Sequence, residues 1–274
     1  MKTIVVATDY SATANNALRF GANLARVFDA ELVLLNVYHP SVHVSNSLMT
    51  PDAIDHIIQN NENRLRELAV ITAFEYQVKV SSVSKAADTV EALEEYVASR
   101  PVDLVVMGMD SSLLEYKLFG NTTTAAIRSL KFPMLVVPND IPFKGLKRIL
   151  YACEYRYLSE DNHLELLKDI TRKFEAKLQI LHVETKSEPA LAAVGDQILA
   201  VDMLMEDVDH TYSVIDNPSV GNGIIQGVKA WNADLLVMVP HKAGFWESLR
   251  KGSATREMAL RTRVPLLVLP NVNA

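Results

Sequence analysis

A chain of 274 residues, 49% hydrophobic and 22% charged, carries enough apolar material for one large folded domain or two of ordinary size. Its formal charge of −6, with no run of Lys or Arg, gives little support to a nucleic-acid groove. No stretch approaches the ~20 apolar residues that cross a bilayer, and a single cysteine, Cys153, excludes an internal disulfide and fits a reducing, cytoplasmic location.

The first apolar run, residues 4–7, ends in Thr8-Asp9 and reads as a buried strand rather than a secretory signal. Asp9, Ser11 and Thr13 follow, and any of the three suits a helix cap. Ala14, Ala17, Leu18, Gly21, Leu24, Ala25 and Phe28 then form an i, i+3, i+4, i+7 stripe, which predicts a helix with one buried face. Residues 32–37 form a second buried strand. A longer, more polar helix starts at Pro51 and runs to 74. Tyr76, Val78 and Val80 alternate with polar residues, as a half-exposed edge strand would. A short helix over 89–99 stops before Pro101. The next buried strand covers 104–107, with Gly108 at its end. A helix over 121–130 and a strand over 134–137 complete the series. Alternating strands and helices predict an α/β fold with a parallel sheet covered on both faces. The expected form is an open, doubly wound, Rossmann-like sheet of five strands, with its ligand crevice at the carboxyl ends of the strands.

The same order recurs in the second half. KTIVVATDYS (2–11) matches KRILYACEYR (147–156), and ELVLLNVY (31–38) matches KLQILHVE (177–184). Further on, VDLVVMG (102–108) matches ADLLVMV (233–239), and KFPMLVVP (131–138) matches RVPLLVLP (263–270). The offset falls from 146 residues at the second match to 131 at the third, so the second copy lacks about 15 residues between them. The chain therefore reads as two tandem domains, 1–140 and 145–274, with Pro and Gly in NDIPFKG marking the junction.

Three clusters fall at carboxyl ends of predicted strands. They are Ala7-Thr8-Asp9-Tyr10-Ser11, then Val37, then Met107-Gly108 with the loop to Gly120-Asn121-Thr122-Thr123. Gly120 admits close backbone approach, and the N–H groups that open the following helix favour an anion. Asp9 suits a ribose hydroxyl, an adenine amino group or a bound Mg²⁺; equally, Asp9 and Ser11 could do no more than cap the helix, and Gly120 could do no more than turn the chain. His39 and His43 flank Pro40 and make no metal site, and Cys153 reads as a small buried hydrophobe.

These residues resemble the universal stress protein A family over nearly the whole chain. Thr8-Asp9-Tyr10-Ser11 matches the Thr-Asp-x-Ser turn of that family's nucleotide-binding members. Their phosphate loop is Gly, two residues, Gly, nine residues, then Gly-Ser/Thr. The resemblance implies an adenine nucleotide α-hydrolase-like fold in each half. It implies ATP or a related adenine nucleotide, with Mg²⁺, in the first, with Asp9 and Val37 at the adenine and ribose end. Gly108, Gly120, Asn121, Thr122 and Thr123 would line the phosphates. The first copy departs at Ser111, at an eight-residue spacer, and at Asn121. The second departs further, with Glu154, Arg156, Val239 and Lys242 at the matching places, and keeps only Gly252-Ser253-Ala254-Thr255. Phe245-Trp246 in its loop either plugs the old site or forms a contact surface. The resemblance also implies pairing of the two copies through their last strands, a homodimer-like unit, and an unidentified protein partner. No nucleotidyl-transferase signature, Walker lysine or Ser-His-Asp arrangement is present, so no catalytic residue is assigned and weak ATP hydrolysis is the most to expect. The readings carried forward are a stress or signalling protein whose first domain binds nucleotide, and an interaction protein of the same fold that has lost it.

Overall fold

Strand β1 (Thr3–Thr8) forms from TIVVAT, whose Ile4, Val5 and Val6 are wholly buried in the computed structural model. The structure describes residues 1–38, 51–109, 132–139, 141–153, 164–185, 195–239 and 264–270, with the backbone alone at 51–54, 195–198 and 200. The chain divides into two units, Met1–Phe143 and Lys144–Ala274.

In the first unit, β1 leads into α1 (Ala12–Phe28). Of the predicted stripe, Ala14, Ala17, Leu18, Gly21, Leu24 and Ala25 are buried, as amphipathicity requires. A Cβ on Gly21 would lie 2.5 Å from the Val6 side chain, so glycine lets α1 settle onto β1. The helix ends at Asp29 in the left-handed region (φ 52°), its N–H bonded to the Ala25 carbonyl. There follow β2 (Glu31–Tyr38), α2 (Pro51–Tyr76), β3 (Val80–Ala86), α3 (Thr89–Ser99), β4 (Leu104–Met109) and β5 (Met134–Pro138). The expected edge strand at 76–80 is displaced. Tyr76 closes α2, Gln77 turns left-handed (φ 55°), and the strand begins only at Val80, where it pairs with Leu32. The expected helix over 121–130 lies outside the described residues.

All pairings in this unit are parallel, in the order β3-β2-β1-β4-β5. The chain works outward from β1 to β3, then crosses back to β4 and β5. The order reverses between β1 and β4, and the carboxyl ends of these two strands flank the crevice of a doubly wound sheet.

The second unit repeats this plan with β6 (Arg148–Ala152), α4 (Leu164–Phe174), β7 (Lys177–Glu184), α5 (Gly195–Leu204), β8 (His210–Asp216), α6 (Val220–Trp231), β9 (Leu235–Met238) and β10 (Leu266–Val268). Its order is β8-β7-β6-β9-β10, again all parallel. The residues it lacks fall in the second helix: α2 has 26 residues and α5 has 10.

At the amino edge of each sheet the units share one device. The Asp103 carboxylate accepts from the N–H groups of Lys2 (2.6 Å) and Thr3 (2.8 Å). The Asp234 carboxylate accepts from those of Lys147 (3.0 Å) and Arg148 (2.8 Å). Each satisfies two donors at the start of a central strand with charge-assisted bonds.

Candidate functional site

The turn after β1 is built from its own side chains. The Tyr10 N–H donates to Thr8 Oγ1 (3.1 Å), and the Ser11 N–H donates to Asp9 Oδ1 (2.9 Å), an Asx turn. Ser11 is the N-cap of α1, its Oγ accepting from the Ala14 N–H (3.1 Å). Of the three candidate caps, the structure therefore uses Ser11. Asp9 is exposed, and among the described residues its Oδ2 makes no hydrogen bond. The carboxylate thus stands at the switch point with one oxygen available.

Tyr10 adopts φ 64°, the left-handed region that a bulky side chain seldom enters. What holds it there lies on α2. The Tyr10 hydroxyl donates towards the Asn61 carbonyl and side-chain oxygens (both 3.3 Å). Asn61 Nδ2 donates to Asn36 Oδ1 (2.6 Å) and Ser84 Oγ (2.8 Å). Asn36, buried in β2, donates in turn to the Thr8 carbonyl (2.7 Å). The Arg64 guanidinium lies over the Tyr10 ring, 3.9 Å from its centroid. One neutral polar chain thus joins the ends of β1, β2 and β3 to α2. Burial pushes the Tyr10 phenol above its usual pKa, and the Arg64 charge opposes that.

Asn61 sits level with Asn36 and Ser84, two residues before the ends of β2 and β3. The helix runs antiparallel to the strands, so residues 51–60 continue past the carboxyl edge. Ten residues rise about 15 Å, against about 7 Å of strand remaining, so α2 overhangs the edge by several ångströms.

Ala7 and Val37 are half-buried at the ends of β1 and β2, and Thr8 is buried. Met107 and Gly108 stand at the end of β4, paired with Val136 and Val137 of β5. The reason for glycine at 108 is packing. A Cβ there would lie 2.5 Å from the Thr13 carbonyl oxygen, in the first turn of α1. Gly120, Asn121, Thr122 and Thr123 lie outside the described residues, as do Ser111, Glu154, Arg156, Lys242, Phe245, Trp246, Gly252, Ser253, Ala254 and Thr255.

The carboxyl edge of the second unit is chemically different. Cys153 stands where Thr8 does and His182 where Asn36 does, with His182 Nδ1 3.4 Å from the Cys153 carbonyl oxygen. Cys153 is buried. Val239, half-buried, replaces Gly108. The short α5 carries no Lys or Arg. It is tied to β8 through Asp202, whose Oδ1 accepts from Tyr212 (2.6 Å) and lies 3.0 Å from His210 Nε2.

The family model described as the universal stress protein family matches residues 1–138 and again 145–270. The chain belongs to the universal stress protein family. A universal stress protein from Archaeoglobus fulgidus DSM 4304 is similar in structure, with a TM-score of 0.76 at 22% identity over 97% of each chain. A functionally unknown protein from Pseudomonas aeruginosa PAO1 has a TM-score of 0.60 at 14% identity, over 100% of this chain and 94% of that one. At these identities the likeness speaks for the fold. A universal stress protein solved in complex with cAMP covers 50% of this chain at 20% identity, with a TM-score of 0.38. No curated protein gives a significant match. No described helix is long and apolar enough to cross a membrane.

Within this tandem universal stress protein, the structure brings Ala7, Thr8, Asp9, Ser11, Val37, Met107 and Gly108 to one edge of the first sheet. Sequence reasoning overlooked Asn36, Asn61, Arg64 and Ser84. Only Asn36 carried a signal, as an amide inside the otherwise apolar run LVLLNV.

Proposed function

We propose that the first unit binds ATP or a related adenine nucleotide and that occupancy alters contacts with a protein partner in a stress or signalling response. The observation that carries this is Asp9: an exposed carboxylate at the switch point of a doubly wound sheet, fixed by its own Asx turn, with Oδ2 available to accept from a ribose hydroxyl or adenine amino group. Val37, Met107, Gly108 and the loop carrying Gly120, Asn121, Thr122 and Thr123 would complete the site. Mg²⁺ would enter with the phosphates. The partner, the homodimer-like pairing and a cytoplasmic location belong to the same proposal.

Equilibrium titration with ATP, on the native chain and on Asp9→Ala, tests it. Binding by the native chain and a loss of about tenfold or more in Asp9→Ala is the expected result. No binding at ~1 mM ATP, where weak sites still register, sinks the reading.

A specific observation favours the second reading, an interaction protein without nucleotide. Ser11 is accounted for as a helix cap and Gly108 by its packing on Thr13, so neither residue requires a ligand to explain it. Under this reading ATP leaves the thermal midpoint unchanged. Under the first, a ligand at 100 times its Kd adds about 2.7 kcal/mol to stability.

A further inference from the structure

We propose that Arg64, on α2, is an anion-recognising residue of the first unit's crevice, so that the ligand there carries a phosphate near the Asp9 turn. This rests on the reading of that crevice as a nucleotide site and says which part of the nucleotide this arginine reads.

Four observations converge. First, Arg64 is exposed and makes no ion pair among the described residues, whereas Lys85 at the end of β3 is bonded to Glu95 (2.8 Å). Second, its guanidinium is not left to wander. It lies 3.9 Å from the centroid of the Tyr10 ring, and that ring is pinned at its far end by Asn61. Stacking fixes the plane of a guanidinium while leaving its N–H edge free to donate to a phosphate. Third, Tyr10 directly follows Asp9, and its left-handed backbone sends the ring towards α2. The only charge that sequence order places in the turn is negative, and folding from 54 residues away supplies the complementary one. A carboxylate that accepts and a guanidinium that donates suit a ligand with both hydroxyl and phosphate groups. Fourth, among the described residues the second unit has no counterpart. Its α5 is 10 residues long and carries no basic side chain, and Cys153 and His182 replace Thr8 and Asn36.

The bland alternative is that Arg64 only shields Tyr10. Calorimetric titration of the full chain with ATP, AMP and adenosine separates the two, on the native protein, Arg64→Ala and Arg64→Lys. Arg64 is exposed, so both variants should fold, and unchanged thermal midpoints will verify this. The expected result is that Arg64→Ala weakens ATP and AMP about tenfold or more and leaves adenosine within about twofold. Arg64→Lys should recover part of the loss, since it restores the charge but not the fork, and the native preference for ATP over adenosine should shrink with added salt. Equal weakening of all three ligands means that Arg64 supports the base or the fold, and overturns the inference. So does undiminished ATP binding by Arg64→Ala beside a native chain that binds. A native chain that binds none of the three overturns the nucleotide reading itself, and this inference with it.

Discussion

Asp103 and Asp234 do one job in the two units, but Asn36 and His182 do not. Each aspartate bridges two N–H groups at the start of a central strand. At the opposite edge, Asn36 is one link in a chain that reaches Ser84, Asn61 and Tyr10, while His182 meets the Cys153 carbonyl. The amino edge must close a sheet in either copy, and the same bonds serve both. The carboxyl edge does not carry that task, and there the copies differ. The contrast separates residues that close the sheet from residues that line the edge where a ligand is proposed.

The sharpest way to break this comparison is to give the first unit the second unit's residue. Gly108→Val would drive a branched side chain into the Thr13 backbone at 2.5 Å. It should cost about 3 kcal/mol and move the start of α1, seen as a lower urea midpoint. If it is silent, packing is not why the glycine is there.

A smaller effect tests the shared edge. Asp103→Ala and Asp234→Ala should each cost about 1–3 kcal/mol, because two strand N–H groups lose a charged acceptor. Denaturant unfolding followed in each unit should show similar losses. A large loss in one unit alone would mean that the two clamps are not equivalent.

The smallest effect concerns how each unit anchors its second helix. The first ties α2 with neutral amides, and the second ties α5 through Asp202. Hydrogen bonds from Tyr212 and then His210 hold the Asp202 carboxyl below its usual pKa. A lowered folded pKa gives stability that is present above the unfolded value, about 3.9, and is lost as pH falls through the folded one. Acid below about pH 4 should therefore reduce hydrogen-exchange protection in α5 before α2. Asp202→Asn should abolish the difference. The effect is small because Asp202 is half exposed and solvent screens it.

Much of this architecture was legible in the sequence. Continuous apolar runs such as IVV and LVV fit strands buried on both faces, and the α1 stripe is buried nearly as written. The helix over Thr89–Ser99 keeps its expected bounds, with Asp88 as its cap. The strand expected at 76–80 was not legible. Val80–Ala86, at the sheet edge, is half-buried almost throughout, so VSSVSKA shows no contrast between faces, and the apparent alternation upstream belongs to a helix end. The candidate site was legible where its residues end a strand or share a turn, and Asp9, Ser11, Val37, Met107 and Gly108 meet at one edge. Asp9 and Ser11 announce themselves, but the Asn36–Asn61 bond and the Arg64–Tyr10 stack join residues 25 and 54 positions apart, and no local pattern encodes such pairs.

The overhang of α2 would make itself felt in rates. A nucleotide bound as proposed, and leaving on the β3 side, would pass a helix that continues beyond the strand ends. Such orientational restriction slows association as well as escape. Among the described residues the second unit, with its 10-residue helix, offers no comparable wall. Trimming residues 51–60 should therefore quicken exchange at the first crevice more than it changes equilibrium affinity, a distinction that stopped-flow mixing resolves and a titration misses.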